Sequence, residues 1–401
     1  MSWYVPLGLF HWVLLSVAMM SIDLDLETIC RKLQAEPLFH MSLGSKELFH
    51  SNFLAWFITR FPEAAADALG DLTEVTLASS SLRVLREKRD LDLVIELPGR
   101  QPIVIENKMF ALPDESQLER YTDQAGKEAG HRASLLLLSL TPPGWDNNAY
   151  AVGDRIWRYL GYHDLQARLQ QQIEAVKSQD RYSGETLVHY CNFIHLLTAF
   201  ADSVSIQSSS ESFELSPKVR DLLQSVRLHD AALKMRAHAV KWELHKRIAH
   251  ERINLRAMWL TSGFTNKQSI IEFFMTFRRT SNNEEDAIGW QLQGRQWRLA
   301  MVLESLAGRS PEARKRREDV AATSNWFNFG LVEEVLPQAK GTGARTRAFL
   351  RFDPSFVYQY RLIPGATVQQ IVDLGMSYIH EAIAWGSRRA DVAVTEQQLQ
   401  S

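Results

Sequence analysis

Apolar and polar positions along this chain follow first a helical and then a strand-like period. Leu26, Ile29, Cys30 and Leu33 recur on one side of residues 23–35, which predicts an amphipathic helix. A second helix is predicted over about 45–60, in KELFHSNFLAWFITRF, with Pro62 closing it. The pattern then shortens to β-like runs: EVTLAS, LRVLREK, DLDLVIEL and PIVIENKMF. The last two are separated by Pro98, Gly99, Arg100 and Gln101, a turn signal that predicts an antiparallel hairpin. A helix follows from near Asp114, and then an apolar strand from Ser134 to Leu140 is stopped by Thr141, Pro142, Pro143 and Gly144. From Asp164 to about Ala201 the spacing is helical again. This order of elements predicts an α/β (mixed α+β) core with a central mixed sheet flanked by helices.

The same reading divides the chain. Residues 21–202 form the first domain, and the Ser-rich, anchor-poor stretch SVSIQSSSESFE at 203–214 reads as a linker. Residues 215–401 read as a helical connector, to about 260, and a C-terminal α+β appendage. Strand-like GWQLQGRQWRLAMVL and RAFLRFDPSFVYQYRLI fall in that appendage, and a last helix covers roughly 367–386. Residues 1–20 stand apart, because Trp3 to Met20 carries no formal charge and approaches bilayer-spanning length. No basic n-region precedes that stretch, and Pro6 and Gly8 weaken it as a helix. It reads as a start codon placed too far upstream, as a membrane anchor, the one route by which a membrane becomes a partner, or as a buried helix.

Composition bounds the function without choosing it. With 45% hydrophobic and 23% charged residues among 401, the chain can bury a sizeable core. A net charge of −2 excludes a uniformly basic nucleic-acid binder but leaves room for a local basic face. Cys30 and Cys191 are far apart and lack metal-ligand spacing, so they read as buried thiols in a reducing, cytoplasmic setting. No P-loop, GxGxxG or GxSxG motif points to a small-molecule cofactor, and the twelve histidines form no HExxH spacing. His50 reads as structural.

PIVIENKMF carries the chemistry. Alternation puts Val104, Glu106 and Lys108 on one face of the strand. A carboxylate and an ammonium in an apolar strand are costly unless they are paired or bind a metal. Asp92, among Leu91, Leu93 and Val94 on the partner strand, converges on Glu106 if the hairpin forms. Two carboxylates and a backbone carbonyl, with Asn107 between Glu106 and Lys108, make a hard-oxygen site suited to Mg²⁺ or Mn²⁺. Asp90 and Glu96 share the parity of Asp92 but lie nearer the strand ends, and Glu87 reads as a surface charge.

Asp92, then Glu106-Asn107-Lys108, then a helix with Gln117 and Tyr121, resembles the PD-(D/E)XK nuclease superfamily, most closely the branch with an E-N-K strand and a QxxxY helix. The likeness covers roughly residues 40–170. It implies a restriction-endonuclease-like fold and a metal-dependent deoxyribonuclease, with Asp92 and Glu106 as metal ligands and Lys108 orienting or deprotonating the nucleophilic water and helping to hold the phosphate. It also implies that Gln117 and Tyr121 touch substrate and that Glu47, in ELFHSNFLAWF, approaches the metal. Leu91 stands where the family's namesake proline would be. The bland reading of Gln117 is a capping box with Asp114. The resemblance further implies a setting in restriction, defence or repair, and a double-strand cut would call for a homodimer. The alternative is a non-catalytic nucleic-acid or protein adaptor on the same fold.

In the C-terminal half, residues 251–351 hold 16 Lys and Arg against 11 Asp and Glu. Arg278-Arg279, the run Arg314 to Arg317, and Arg345 with Arg347 are interleaved with Trp290, Trp297, Trp326 and Phe349. That mixture suits a nucleic-acid surface, although Trp and Phe at strand spacing are more often core.

Overall fold

The structure, a computed structural model, describes residues 24–69, 82–88, 90–129, 133–339, 341 and 344–400. The apolar stretch at 3–20 and the strand expected at EVTLAS lie outside these residues. Among the described residues no helix is long and apolar enough to cross a membrane.

Helix α1 (Leu26–Ala35) starts where the Asp25 carboxylate accepts the Thr28 N–H at 2.8 Å, and it buries Ile29, Cys30 and Leu33. α2 (Pro37–Ser42), α3 (Lys46–Arg60) and α4 (Pro62–Leu69) follow. Pro62 ends α3 as the sequence predicts and opens α4, because a first-turn proline has no N–H that the helix would miss.

The first sheet contains β1 (Arg83–Lys88), β2 (Leu91–Glu96) and β3 (Ile103–Lys108), then, after α5 (Glu115–Ala129), β4 (Ser134–Ser139), β5 (Ala149–Val152) and β6 (Arg155–Gly161). Its order is β1-β2-β3-β4-β6-β5. The β2–β3 hairpin forms as expected, with Leu93 opposite Ile105 and Gly99 at φ 70° in the turn. β3, β4 and β6 run parallel, so the sheet is mixed. β5 and β6 were not legible as strands. In β6 Trp157 and Leu160 are buried but Ile156 is 56% exposed, so the run lacks clean alternation.

Helices α6 (Tyr162–Gln171), α7 (Ile173–Gln179) and α8 (Arg181–Val204) cover one sheet face, packing with α1–α4 on Ile103, Ile105, Leu136 and Leu138. α5 covers the other face, over Val94, Val104, Leu135, Leu137 and Trp157. Both cysteines are buried in the larger core, where burial pushes the Cys30 thiol up to about 11 and Cys191 to about 12.

The second half holds α9 (Pro217–Ser225), α10 (His229–His250), β7 (Met258–Thr265), β8 (Gln268–Arg279), β9 (Glu285–Gln293) and β10 (Gln296–Leu303). It continues with α11 (Pro311–Thr323), α12 (Gly330–Val335), α13 (Ala344–Arg347), β11 (Leu350–Phe352), β12 (Phe356–Leu362) and α14 (Val368–Gln400). The sheet is antiparallel in the order β11-β12-β10-β9-β8-β7. The helical stretch expected to reach 260 stops at His250, and β7 and β8 are strands the sequence reading passed over.

The Ser-rich 203–214 segment is tightly anchored. Phe213 is buried in the second core, its N–H donates to the Ala366 carbonyl at 2.9 Å, and buried Arg236 donates to the Val204, Ser212 and Phe213 carbonyls. Helix α10 joins both cores, with Ala231, Ala232 and Met235 in the first and Val240, Leu244 and Ile248 in the second.

The tryptophans of this half are internal and five of the eight basic residues named above are ion-paired, while Arg316, Arg345 and Arg347 are exposed. Trp290, Trp297 and Trp326 are fully buried, with Trp290 stacked on Trp297 at 4.6 Å. Phe349 packs edge-on against Phe327. Arg278 pairs with Asp286, Arg279 with Glu285, Lys315 with Asp319, and Arg314 and Arg317 share Asp353. Arg317 is itself buried and also donates to the Leu306 and Gly308 carbonyls. These cations hold the domain together by neutralising nearby carboxylates.

Candidate active site

The site forms where β2 and β3 part. Their backbone ladder ends at Leu93 and Ile105, so the next residues, Asp92 and Glu106, face each other across the gap. There the Asn107 N–H donates to the Asp92 carboxylate at 2.7 Å in place of a backbone carbonyl. Lys108's carbonyl accepts from Leu140 on the β4 side. Carbonyls alternate along a strand, so Asn107's points to the β2 side, into the gap.

Glu106 is 1% exposed, and its Oε1 lies 2.7 Å from the Lys108 ammonium. Its Oε2 is buried with no N–H or hydroxyl donor bonded to it. Burial, reinforced by the Asp92 charge, pushes the Glu106 carboxyl up to about 8. Burial also raises Asp92, against the pull of the Asn107 N–H and Lys108. For Lys108 burial works downward, but the Glu106 and Asp92 carboxylates outweigh it and hold the amine above its ordinary value. Lys108 is therefore an ammonium at neutral pH, a donor and not a base.

The other acids of β2 are accounted for. Glu96 pairs with Lys88 at 2.9 Å, and Asp90 sits exposed at φ 68° in the turn before the strand. Asp92 alone on that strand meets Glu106.

Glu47, on the first turn of α3, holds the backbone that leaves β3. Its Oε1 accepts the Phe110 and Ala111 N–H groups at 3.1 and 2.9 Å, and its charge is felt at Asp92. Asn107 occupies the opposite face, where its side chain is fully used. Nδ2 donates to the Glu47 carbonyl and Ser51 Oγ, each at 3.0 Å, and Oδ1 accepts the Tyr162 hydroxyl at 2.6 Å. Only the main-chain carbonyl of Asn107 remains for a metal. Ser51 and Tyr162 are supports the sequence reading missed, since nothing in their local pattern separates them from ordinary helix residues.

Gln117 does not close a capping box. Asp114 caps α5 by accepting the Ser116 and Gln117 N–H groups, while the Gln117 side chain runs one turn forward to the Tyr121 hydroxyl at 2.5 Å. Tyr121 lies in the fields of Glu106, Lys108 and Asp92; burial first and Glu106 second raise its phenol. His50 is structural, as expected: it is fully buried, stacked on Phe193 and bonded to Tyr190 at 3.1 Å, and burial lowers its pKa to about 3.

Among the described residues no group of three or more His, Cys, Asp or Glu side chains is placed to hold a metal by itself. The donors fit a cation that needs fewer. Mg²⁺ takes one or two carboxylates and fills its octahedron with water and substrate phosphate. Glu106 Oε2, which has no N–H or hydroxyl donor bonded to it, is a hard oxygen whose nearest acid is Asp92, with which it shares a hydrogen bond when one of the two is protonated.

Residues 38–192 match the family model of the PD-(D/E)XK nuclease superfamily. No curated protein and no solved structure matches the chain.

Proposed function

We propose, for a chain whose residues 38–192 carry a nuclease-superfamily domain, that this site hydrolyses phosphodiester bonds of DNA with the help of a divalent cation, Mg²⁺ or Mn²⁺. The observation that carries the reading is the buried Asp92–Glu106–Lys108 cluster, in which no N–H or hydroxyl donor is bonded to Glu106 Oε2. Like-charged carboxylates desolvated together at the mouth of a split hairpin destabilise a fold, and a cation between them relieves that cost. Asp92, Glu106 and the Asn107 carbonyl would hold the cation, with Glu47 behind them fixing the turn after β3. When bound, it would neutralise charge gathering on the phosphate and favour ionisation of the attacking water.

The chain's own groups do the positioning. The Lys108 ammonium, held by Glu106, orients the water and donates to a phosphate oxygen as charge builds there. Tyr121, braced by Gln117, presents its hydroxyl to the substrate backbone near the N-terminal end of α5, where a helix favours phosphate.

Cleavage of linear, circular and single-stranded DNA with Mg²⁺, Mn²⁺ or EDTA, beside Glu106→Ala and Lys108→Ala, tests this. Metal-dependent cutting lost in both variants supports it. A folded wild-type protein that cuts no nucleic acid moves the chain to the adaptor reading, in which the fold serves as a binding platform.

A further inference from the structure

A cleft of about 1040 Å³ lies between the two halves of the molecule, walled on one side by residues 111–116 and Glu119 and on the other by α10 and the edge strand β7. It begins at Ala111, whose N–H is held by Glu47. Two residues, Met109 and Phe110, lie between Lys108 and Ala111, at most about 10 Å of chain, so one end of the cleft lies within that reach of the site.

Its walls are unusually aromatic for a surface. Trp145 and Tyr150, stacked at 5.3 Å, stand on the nuclease side, and Trp242, Trp259 and Phe264 stand opposite; all five are half-buried. Each wall is fixed. Glu115 and Glu119 accept the Trp145 indole N–H and the Tyr150 hydroxyl, at 3.3 and 3.0 Å. Trp242 lies so close on Gly144 that a Cβ there would fall 2.5 Å from the indole, and Trp259 stacks on Phe274 at 5.5 Å.

The charged residues of the cleft are Lys234 and Lys241, on the rings, and Asp114, Glu115 and Glu119. Lys234 sits 5.5 Å from the Phe264 ring and Lys241 5.2 Å from that of Trp242. Two of the acids are already engaged, Glu115 by Trp145 and Lys241, and Glu119 by Tyr150. Rigid rings and a volume suited to a few planar groups match unpaired bases. A continuous duplex hides its base faces and gains nothing from such walls.

We propose that this cleft binds unpaired nucleobases of the strand being cut, stacked between Trp145 on the nuclease wall and Trp259 on the C-terminal wall. The inference rests on the nuclease reading for its substrate, and it makes that substrate single-stranded or frayed beside the scissile bond.

The test uses the full-length chain carrying Glu106→Gln, in EDTA, and oligonucleotides containing 2-aminopurine. We expect tighter binding of single strands than of a blunt duplex of the same sequence, with 2-aminopurine quenched by stacking. Trp145→Ala and Trp259→Ala should each weaken single-strand binding on the order of tenfold, with Trp259→Phe restoring most of it. DNA and RNA arms tell which sugar the strand carries; preference for either over the duplex supports the inference. Equal affinity for duplex and single strand overturns it, as does full single-strand affinity in folded Trp145→Ala, Trp259→Ala and Phe264→Ala. Cleavage by the wild-type chain with Mg²⁺ is scored separately. Cutting with indifferent tryptophan variants sinks the cleft alone, and stacking without any cutting sinks the catalytic reading alone.

Discussion

The Asp92 carboxylate accepts the backbone N–H of Asn107 at 2.7 Å at the point where the β2–β3 ladder stops. One side chain thus satisfies the donor that the splayed hairpin leaves open, and it stands opposite Glu106 because of the same splay. Asp92→Ala should therefore do two things. It should remove cleavage, and it should destabilise the fold by about 1–3 kcal/mol, the cost of an orphaned buried donor. Urea unfolding and a cleavage assay on the same preparation check both.

The Glu106 carboxyl, pushed up to about 8, makes the metal-free protein pH-sensitive. An acid whose folded pKa lies above its unfolded value binds its proton more tightly when folded. Stability from this group is present below its ordinary pKa near 4.5 and is lost as pH rises toward 8. In EDTA, wild-type stability should fall relative to Glu106→Gln between pH 5 and pH 8, by on the order of a few kcal/mol. Parallel pH profiles of the two proteins would contradict the assignment. Mg²⁺ should restore more stability at pH 8 than at pH 5, because only the ionised carboxylates compete for it.

Asn107 separates scaffold from chemistry. Its amide joins α3, through the Glu47 carbonyl and Ser51, to Tyr162 at the start of α6. Asn107→Ala leaves the Tyr162 hydroxyl without this acceptor, while Ser51 and the Glu47 carbonyl keep each other, and should cost about 1–3 kcal/mol of stability. Activity per folded molecule should fall far less than in Lys108→Ala. Thermal melts beside active-fraction measurements distinguish the two.

Arg317 offers a contrast in the C-terminal half. Removing its buried guanidinium leaves the Leu306 and Gly308 carbonyls without that donor while Asp353 keeps Arg314, so Arg317→Ala should destabilise by about 1–3 kcal/mol. Exposed Arg316 next to it should tolerate alanine within about 0.5 kcal/mol. Calorimetry on the two variants settles whether this run is structural.

The site was legible where chemistry contradicts its surroundings. Glu106 and Lys108 stand out because charges in an apolar strand need a reason, and the Pro98–Gln101 turn brings Asp92 opposite them. Ser51 and Tyr162 were not legible, because a hydroxyl on a helix looks the same whether it faces water or an amide 55 or 56 residues away in the chain. The second half misled for a related reason. Arg317 and Trp326 have the composition of a nucleic-acid surface, and only the positions of Asp353 and the Gly289 carbonyl show that both are internal. The aromatic cleft was invisible because Trp145 and Trp259 are 114 residues apart and meet only through the docking of α10.

The most direct test of the central claim is the single-turnover rate of DNA cleavage with Mg²⁺, compared between wild type and Glu106→Gln. That substitution keeps the side chain's shape and removes the charge that would hold the cation. Wild type should cut only with Mg²⁺, and a variant that stays folded should cut at a rate lower by on the order of 10²–10³ or more. Equal rates in the two proteins, or wild-type cutting that persists in EDTA, would contradict it.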